Sequence, residues 1–167
     1  DNSIGISGIA PGCKIMPIRI ALGSGGDIIA ESAKTADGIG WAWQNGASIF
    51  NLSWGIGSSP IVLRDAIDAA LTSGRSGKGC VVVAASGNEN GPVRNFPATV
   101  PDVLTVGASS PADERKSPTS VDGETFWGSS YGGQLDCVAP GVKITTTDRS
   151  GNAGYTTTDY TSRFNGT

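Results

Sequence analysis

Gly79-Cys80-Val81-Val82-Val83-Ala84-Ala85-Ser86-Gly87-Asn88-Glu89 is the stretch on which the fold turns. The apolar run from Cys80 to Ala85 is unbroken, rich in β-branched valine and closed by Ser-Gly-Asn. It is too short for a buried helix and reads as a strand covered on both faces, the kind found in parallel sheets. Asn88 then stands just past the carboxyl end of that strand, where open α/β sheets place their binding sites. A side-chain amide held there is a neutral donor that could meet the negative oxygen of a tetrahedral intermediate. The plainer reading is a strand-end turn in which asparagine tolerates left-handed backbone.

Working outward, the same alternation of strand and helix repeats. Lys14 to Leu22 (KIMPIRIAL) is a short isoleucine-rich run, read as a strand buried on both faces. Ile28 to Gln44 repeats apolar residues at helical spacing (Ile29, Ala33, Ala36, Ile39, Ala42, Trp43), with Asn45-Gly46 as a left-handed cap. Ala47 to Ser53 predicts a strand, and Pro60 to Ser73 a helix with Pro60 near its first turn. Val103 to Ala108 is another strand, and Leu135 to Ala139 with Val142 to Thr146 makes further β structure. Ser109 to Ser130 turns polar and reads as a surface excursion. Strand–helix–strand order of this kind implies a parallel sheet with helices packed on it.

Composition narrows the classes. A chain of 167 residues allows one domain, and 38% apolar with 16% charged residues suits a folded one. A net charge of −3 gives no footprint for nucleic acid. No apolar run reaches the roughly 18 residues of a membrane span, and few Lys and Glu among abundant Ser, Thr, Gly and Asn suit a secreted protein. Cys13, Cys80 and Cys137 have no metal-ligand spacing, so no metal site is expected; Cys80 and Cys137, beside apolar runs, read as small buried hydrophobes.

Several blocks resemble the subtilisin-like (subtilase) serine proteases, in the family's order and across the whole chain. Ala84-Ala85-Ser86-Gly87-Asn88-Glu89 resembles the oxyanion-hole strand, and Asn51-Leu52-Ser53-Trp54-Gly55 the run that pairs with substrate backbone. Ser129-Ser130-Tyr131-Gly132 with Asp136-Cys137-Val138-Ala139-Pro140-Gly141 resembles a structural block of the family. Phe164-Asn165-Gly166-Thr167 resembles the turn leading to the nucleophilic serine, and the Asp1 to Pro11 stretch resembles the loop after the catalytic histidine helix. Gly74 to Gly79 and Ser109 to Thr125 depart from the pattern as surface insertions.

The resemblance implies a three-layer α/β fold, a parallel sheet flanked by helices, incomplete at both ends: residues 1–167 as a partial peptidase domain. It implies a secreted endopeptidase working by acyl transfer on peptide or protein substrates, with no nucleic-acid or membrane partner. Asn88 would be the oxyanion donor. Ser53, Trp54 and Gly55 would bind substrate backbone and wall the primary pocket, with Ala85, Ser86 and Gly87 opposite and Glu89 at its mouth, tolerating a basic residue. Trp54, in place of a smaller aliphatic residue, implies a narrower pocket, and Ser24 to Ile28 would border more distant subsites. Asn2, Ile4 and Ile6 would occupy the positions of a calcium loop, a remnant expected to stand unfilled, since the family's other ligands lie upstream. No cofactor is implied.

One absence cuts across this reading. The chain contains no histidine, and a Ser-His-Asp mechanism needs an imidazole as general base. The expectation is therefore a fragment supplying oxyanion hole and cleft walls, inactive alone, with base and nucleophile outside it. Two alternatives compete. The first is a peptide-binding pseudoprotease of the same fold. The second is a nucleotide-binding domain built on Gly23-Ser24-Gly25-Gly26-Asp27, which lacks the third glycine of GxGxxG, the ribose-binding acid and any GK[ST].

Overall fold

The computed structural model describes residues 5–22 and 29–167. Its centre is a parallel sheet of four strands, β3 (Ile49–Leu52), β4 (Val81–Ala85), β5 (Leu104–Ser109) and β6 (Cys137–Pro140), in that order across the sheet. Ile49 pairs with Val81, Val83 with Leu104, and Val106 with Cys137. Two helices accompany it, α1 (Ser32–Gln44) and α2 (Ile61–Gly77). This is the α/β class with a parallel sheet and flanking helices that the sequence implies.

The helices form where apolar residues recur at helical spacing, and they stop for local reasons. At the end of α1 the Gly46 N–H donates to the Trp43 carbonyl and the Ala47 N–H to the Ala42 carbonyl. With Gly46 at φ +94°, that is a Schellman cap, which satisfies carbonyls the helix would otherwise leave open. Helical geometry in α2 breaks at Gly74 (ψ 162°), and Arg75 and Ser76 turn left-handed. The helix proper thus ends at Ser73, as its apolar stripe predicts.

Both helices pack on one face of the sheet. Ala36, Ile39 and Ala42 of α1 and Leu63, Ile67 and Ala70 of α2 share a core with Phe50, Leu52, Val82 and Ala84. Strand alternation puts those four residues on the same face. Ile49 and Val81, which open the two strands on the opposite face, remain exposed, together with Leu104. Continuous apolar strands predict cover on both faces; among the described residues the helical layer covers one.

Two other expectations are corrected. Lys14 to Leu22 is not a buried strand: only β1 (Ala21–Leu22) forms a ladder, antiparallel to β2 (Ile29–Ala30), and Ile15 is 90% exposed. No strand of the four-stranded sheet pairs with it, so the run has no ladder to bury it; Ile18 packs instead against α1, where a Cβ on Gly38 would come within 2.9 Å of its Cγ2. Cys137 is exposed on the edge strand β6, whereas Cys80 is buried with its thiol donating to the Ala47 carbonyl at 3.2 Å. The further β structure expected over Val142 to Thr146 is β7 (Ile144–Thr147), which lies outside the four-stranded sheet. It forms an antiparallel pair with β8 (Tyr160–Phe164), and that hairpin brings Asn165–Thr167 back to the sheet's carboxyl edge.

Because Ile67 is fully buried between α2 and the sheet, Ile67→Ala should lower unfolding free energy by about 2–5 kcal/mol, read from urea denaturation. A loss below about 1 kcal/mol would show that the α2–sheet core is not packed as described.

Candidate active site

The carboxyl ends of β3 and β4 and the end of the chain surround one pocket. Ser53, Trp54 and Gly55 follow β3 and form one wall; Ala85, Gly87, Asn88 and Glu89 close β4 and form the other. Asn95 and Thr167 complete the lining. Parallel strands put their carboxyl ends on one edge, so two segments more than thirty residues apart in sequence meet there. Seven of the eight residues singled out in the sequence are brought together in this way.

The eighth, Ser86, turns the opposite way. Alternation along β4 points Ala85 toward the pocket and Ser86 away, and Ser86 is 1% exposed. Its hydroxyl donates to the Ser130 carbonyl at 3.2 Å and lies 3.4 Å from the Ser129 hydroxyl. Ser129 Oγ in turn accepts from the Ala108 N–H at 2.9 Å. Ser86 is thus not a wall residue: it fastens the turn after β4 to the segment Ser129–Ser130 and to β5.

Asn88 is held by the chain's last residue. The Thr167 backbone N–H and hydroxyl both donate to Asn88 Oδ1 at 3.1 Å, and the Gly87 N–H donates to Thr167 Oγ1 at 3.2 Å. With Oδ1 fixed, the Nδ2 amine has its direction set, and among the described residues it donates to no protein acceptor. Gly87 sits at φ +108°, and a methyl group there would overlap Glu89 Oε2. The positive φ is what favours glycine here; a side chain would in addition push the Glu89 carboxylate aside.

Glu89 lies beside this amide at the pocket wall. Ser130 Oγ donates to its Oε2 at 3.0 Å, and Asn95 Nδ2 stands 3.5 Å from Oε1. Among the described residues no Lys or Arg forms an ion pair with it. Trp54 both lines the pocket and packs on core Phe96, ring centroids 6.1 Å apart and tilted by 45°. Asn95 has no signal in the sequence. It reaches the site because Ile56 and Phe96 exchange backbone hydrogen bonds, which lays the 95–96 segment along the residues after β3. Asn2 and Ile4 of the calcium-loop reading, and Ser24 to Ile28 of the distant-subsite reading, lie outside the described residues.

The segment Ser109–Ser130 is the expected surface excursion over much of its length, with Val121 and Phe126 exposed, but it sends Lys116 inward. Lys116 is fully buried with its ammonium donating to the Ser117 carbonyl (2.9 Å), Ser120 Oγ (3.0 Å), Asp122 Oδ1 (2.8 Å) and the Glu124 carbonyl. The ammonium also lies 5.5 Å from the Trp127 ring. A polar loop can go inside because every donor has an acceptor. Burial by itself would raise the Asp122 carboxyl, but hydrogen bonds from Lys116, Ser120 and the Glu124 N–H outweigh it and hold it well below the usual carboxylate range.

A parallel α/β sheet with a fixed amide and a two-walled pocket at its carboxyl edge is a candidate binding site. The sequence matches the Subtilase family model over residues 1–167, and the chain belongs to that family of serine proteases. It is 34% identical to Subtilisin Savinase of Lederbergia lenta over 88% of this chain and 48% of that protein. It is 34% identical to Subtilisin DY of Bacillus licheniformis over 100% of this chain and 53% of that one. A Calcium-dependent protease of a Nostoc species is 35% identical, covering 100% of this chain and 28% of its own length. The chain thus spans about half the length, or less, of the curated relatives it matches. Among solved structures, a cold adapted subtilisin-like serine proteinase aligns with a TM-score of 0.61 at 28% identity, over 83% of this chain and 43% of that chain.

The depressed Asp122 fixes the sign of a pH effect. Its stabilisation is complete above the ordinary aspartate value near 3.9 and is lost as pH falls from there toward the lower folded value. Asp122→Ala should cost about 3–5 kcal/mol at pH 7, because it leaves a buried ammonium without its counter-charge. The gap to the wild type should narrow below pH 4 in urea titrations; a gap independent of pH would contradict the pairing.

Proposed function

We propose that the full-length protein carrying this chain is a secreted serine endopeptidase that cleaves peptide bonds by acyl transfer. The observation that carries the reading is the Asn88 amide, fixed by Thr167 through Oδ1 with its amine left to donate at the edge of the pocket. In such a reaction a serine attacks the carbonyl, histidine moves the proton and aspartate orients the histidine. These 167 residues contain no histidine, so on this reading the base and the nucleophile are supplied from outside them and the isolated chain does not turn over. The oxygen of the tetrahedral intermediate would sit against Asn88 Nδ2, a donor that strengthens as charge develops and needs no reorganisation.

Substrate would lie as an extended strand along Ser53–Gly55, pairing backbone to backbone, a mode that fixes chain direction without demanding a sequence. Its primary side chain would enter between Trp54 and the wall made by Ala85 and Gly87, reach Glu89, and find there a carboxylate that no Lys or Arg among the described residues pairs with. A basic side chain is therefore tolerated alongside aromatic ones. The chemistry calls on no cofactor. Asn2, Ile4 and Ile6 would offer three oxygens where calcium takes six to eight, so this chain alone is read as holding no calcium. Secretion fits the Ser-, Thr- and Gly-rich composition; no described helix is long and apolar enough to cross a membrane.

A second reading, a peptide-binding pseudoprotease, is favoured by the missing histidine alone. Labelling of the full-length protein by a serine-directed fluorophosphonate separates the two: the protease is labelled, the pseudoprotease is not.

In the full-length protein Asn88→Ala should lower kcat by about 10²–10³ with little change in KM, the magnitude being that of the same kind of loss in subtilisin itself. An unchanged kcat would remove Asn88 from the mechanism. Glu89→Ser should reduce the ratio of kcat/KM for Lys over Phe at the primary position about fivefold, since an exposed pair is worth up to about 1 kcal/mol. An unchanged ratio would place the basic side chain elsewhere.

A further inference from the structure

The pocket is described by β3, β4 and the chain's last residues, yet one side chain from the inward-turning loop reaches the last of these. Glu124 Oε2 accepts from Asn165 Nδ2 at 3.2 Å and from Trp127 Nε1 at 2.7 Å. Asn165 directly precedes Gly166, whose N–H donates to the Gly141 carbonyl at 3.0 Å, and Thr167, which holds Asn88. We propose that Glu124 is a positioning residue: acting through Asn165, it sets the Asn165–Thr167 segment and with it the orientation of the Asn88 amide.

Three observations give the carboxylate the rigidity this role needs. The Glu124 backbone is clamped at both ends, its N–H donating to Asp122 Oδ1 at 2.9 Å and its carbonyl accepting from the buried Lys116 ammonium. Lys143, just ahead of β7, donates to the Asp122 carbonyl at 2.6 Å, so the loop is tied to the hairpin that delivers Asn165. Trp127, whose indole N–H fixes the same carboxylate oxygen, is buried with Ala108 and Val142. The loop is thereby a brace between the sheet and the returning hairpin. A carboxylate receiving two neutral donors in a partly buried setting makes stronger bonds than an amide would, and small misplacements of a catalytic group cost rate steeply.

The kinetic arm of the test rests on the peptidase reading; the exchange arm does not. In the full-length protein, Glu124→Ala should speed backbone amide exchange at Gly166 and Thr167, followed by mass spectrometry of the peptide containing them. It should lower kcat per titrated active site about tenfold with KM within about twofold, as a small misplacement does. Glu124→Gln, whose carbonyl oxygen still accepts, should fall between wild type and Glu124→Ala in both readouts. In an Asn165→Ala background, Glu124→Ala should add little, because the link is already cut. Unchanged exchange at Gly166 and Thr167, or an equal loss with and without Asn165, would overturn the proposal. If Glu124→Ala fails to fold, Glu124→Gln carries the comparison: raised exchange at an unchanged Tm supports it, unchanged exchange overturns it. If wild type hydrolyses no peptide, the peptidase reading fails and the exchange arm alone decides the role of Glu124.

Discussion

The hydrogen bonds from Thr167 to Asn88 Oδ1 join positions 79 residues apart, and the site exists only when both ends of that link are in place. The amide belongs to the turn after β4, which depends on the buried core under α1 and α2 for its position. Its orientation belongs to Thr167, which depends on the β7–β8 hairpin to return to the sheet. An amide free to rotate would have to be ordered at the moment of reaction; an amide already held by two donors has lost that freedom in folding.

The scaffolding behind this link is polar and buried. Ser86, Ser129 and Ser130 exchange hydrogen bonds with one another and with β5, and the Gly87 carbonyl accepts from the Ser130 N–H at 2.8 Å. Arg115 adds a second brace, donating to the Ser129 carbonyl and to Asn90 Oδ1 while lying over the Tyr131 ring. Further out, the Lys116–Asp122 pair, with both side chains fully buried, pins the loop that meets the hairpin. Satisfied buried networks of this kind specify one arrangement, because any slip leaves a donor or acceptor unmatched in a medium of low dielectric.

How much of this could be read from residues alone follows from the range of the interaction that decides each element. The two helices, β3, β4 and β5 are set by local periodicity and local caps, and the sequence places them within a few residues. Seven of the eight named pocket residues follow from two strand ends on one edge. Ser86 departs from its expected place because the pleat points neighbouring residues at a strand end in opposite directions, which a run of consecutive residues does not show. Lys14–Leu22 failed because an apolar run says nothing about whether a partner strand is present. The β7–β8 hairpin was hidden in a Thr-rich stretch with no clean alternation. Lys116 was illegible because lysine is almost never buried without a partner, and its partners, a carboxylate, a hydroxyl and two carbonyls, are visible only once the loop is folded. Asn95 and Glu124 reach the site through backbone pairing and loop closure, which leave no local mark.

If the central claim holds, Asn88 recognises charge that is present in a tetrahedral adduct and absent from a bound peptide. The direct measurement is the Kd of a peptide boronic acid, and of the matching peptide with an uncharged, amidated carboxyl terminus, for full-length wild type and Asn88→Ala. With Asn88 as the oxyanion donor, the boronate weakens about 10²-fold in Asn88→Ala while the plain peptide stays within about twofold. Equal Kd values for the boronate in the two proteins, or an equal loss for both ligands, would contradict it.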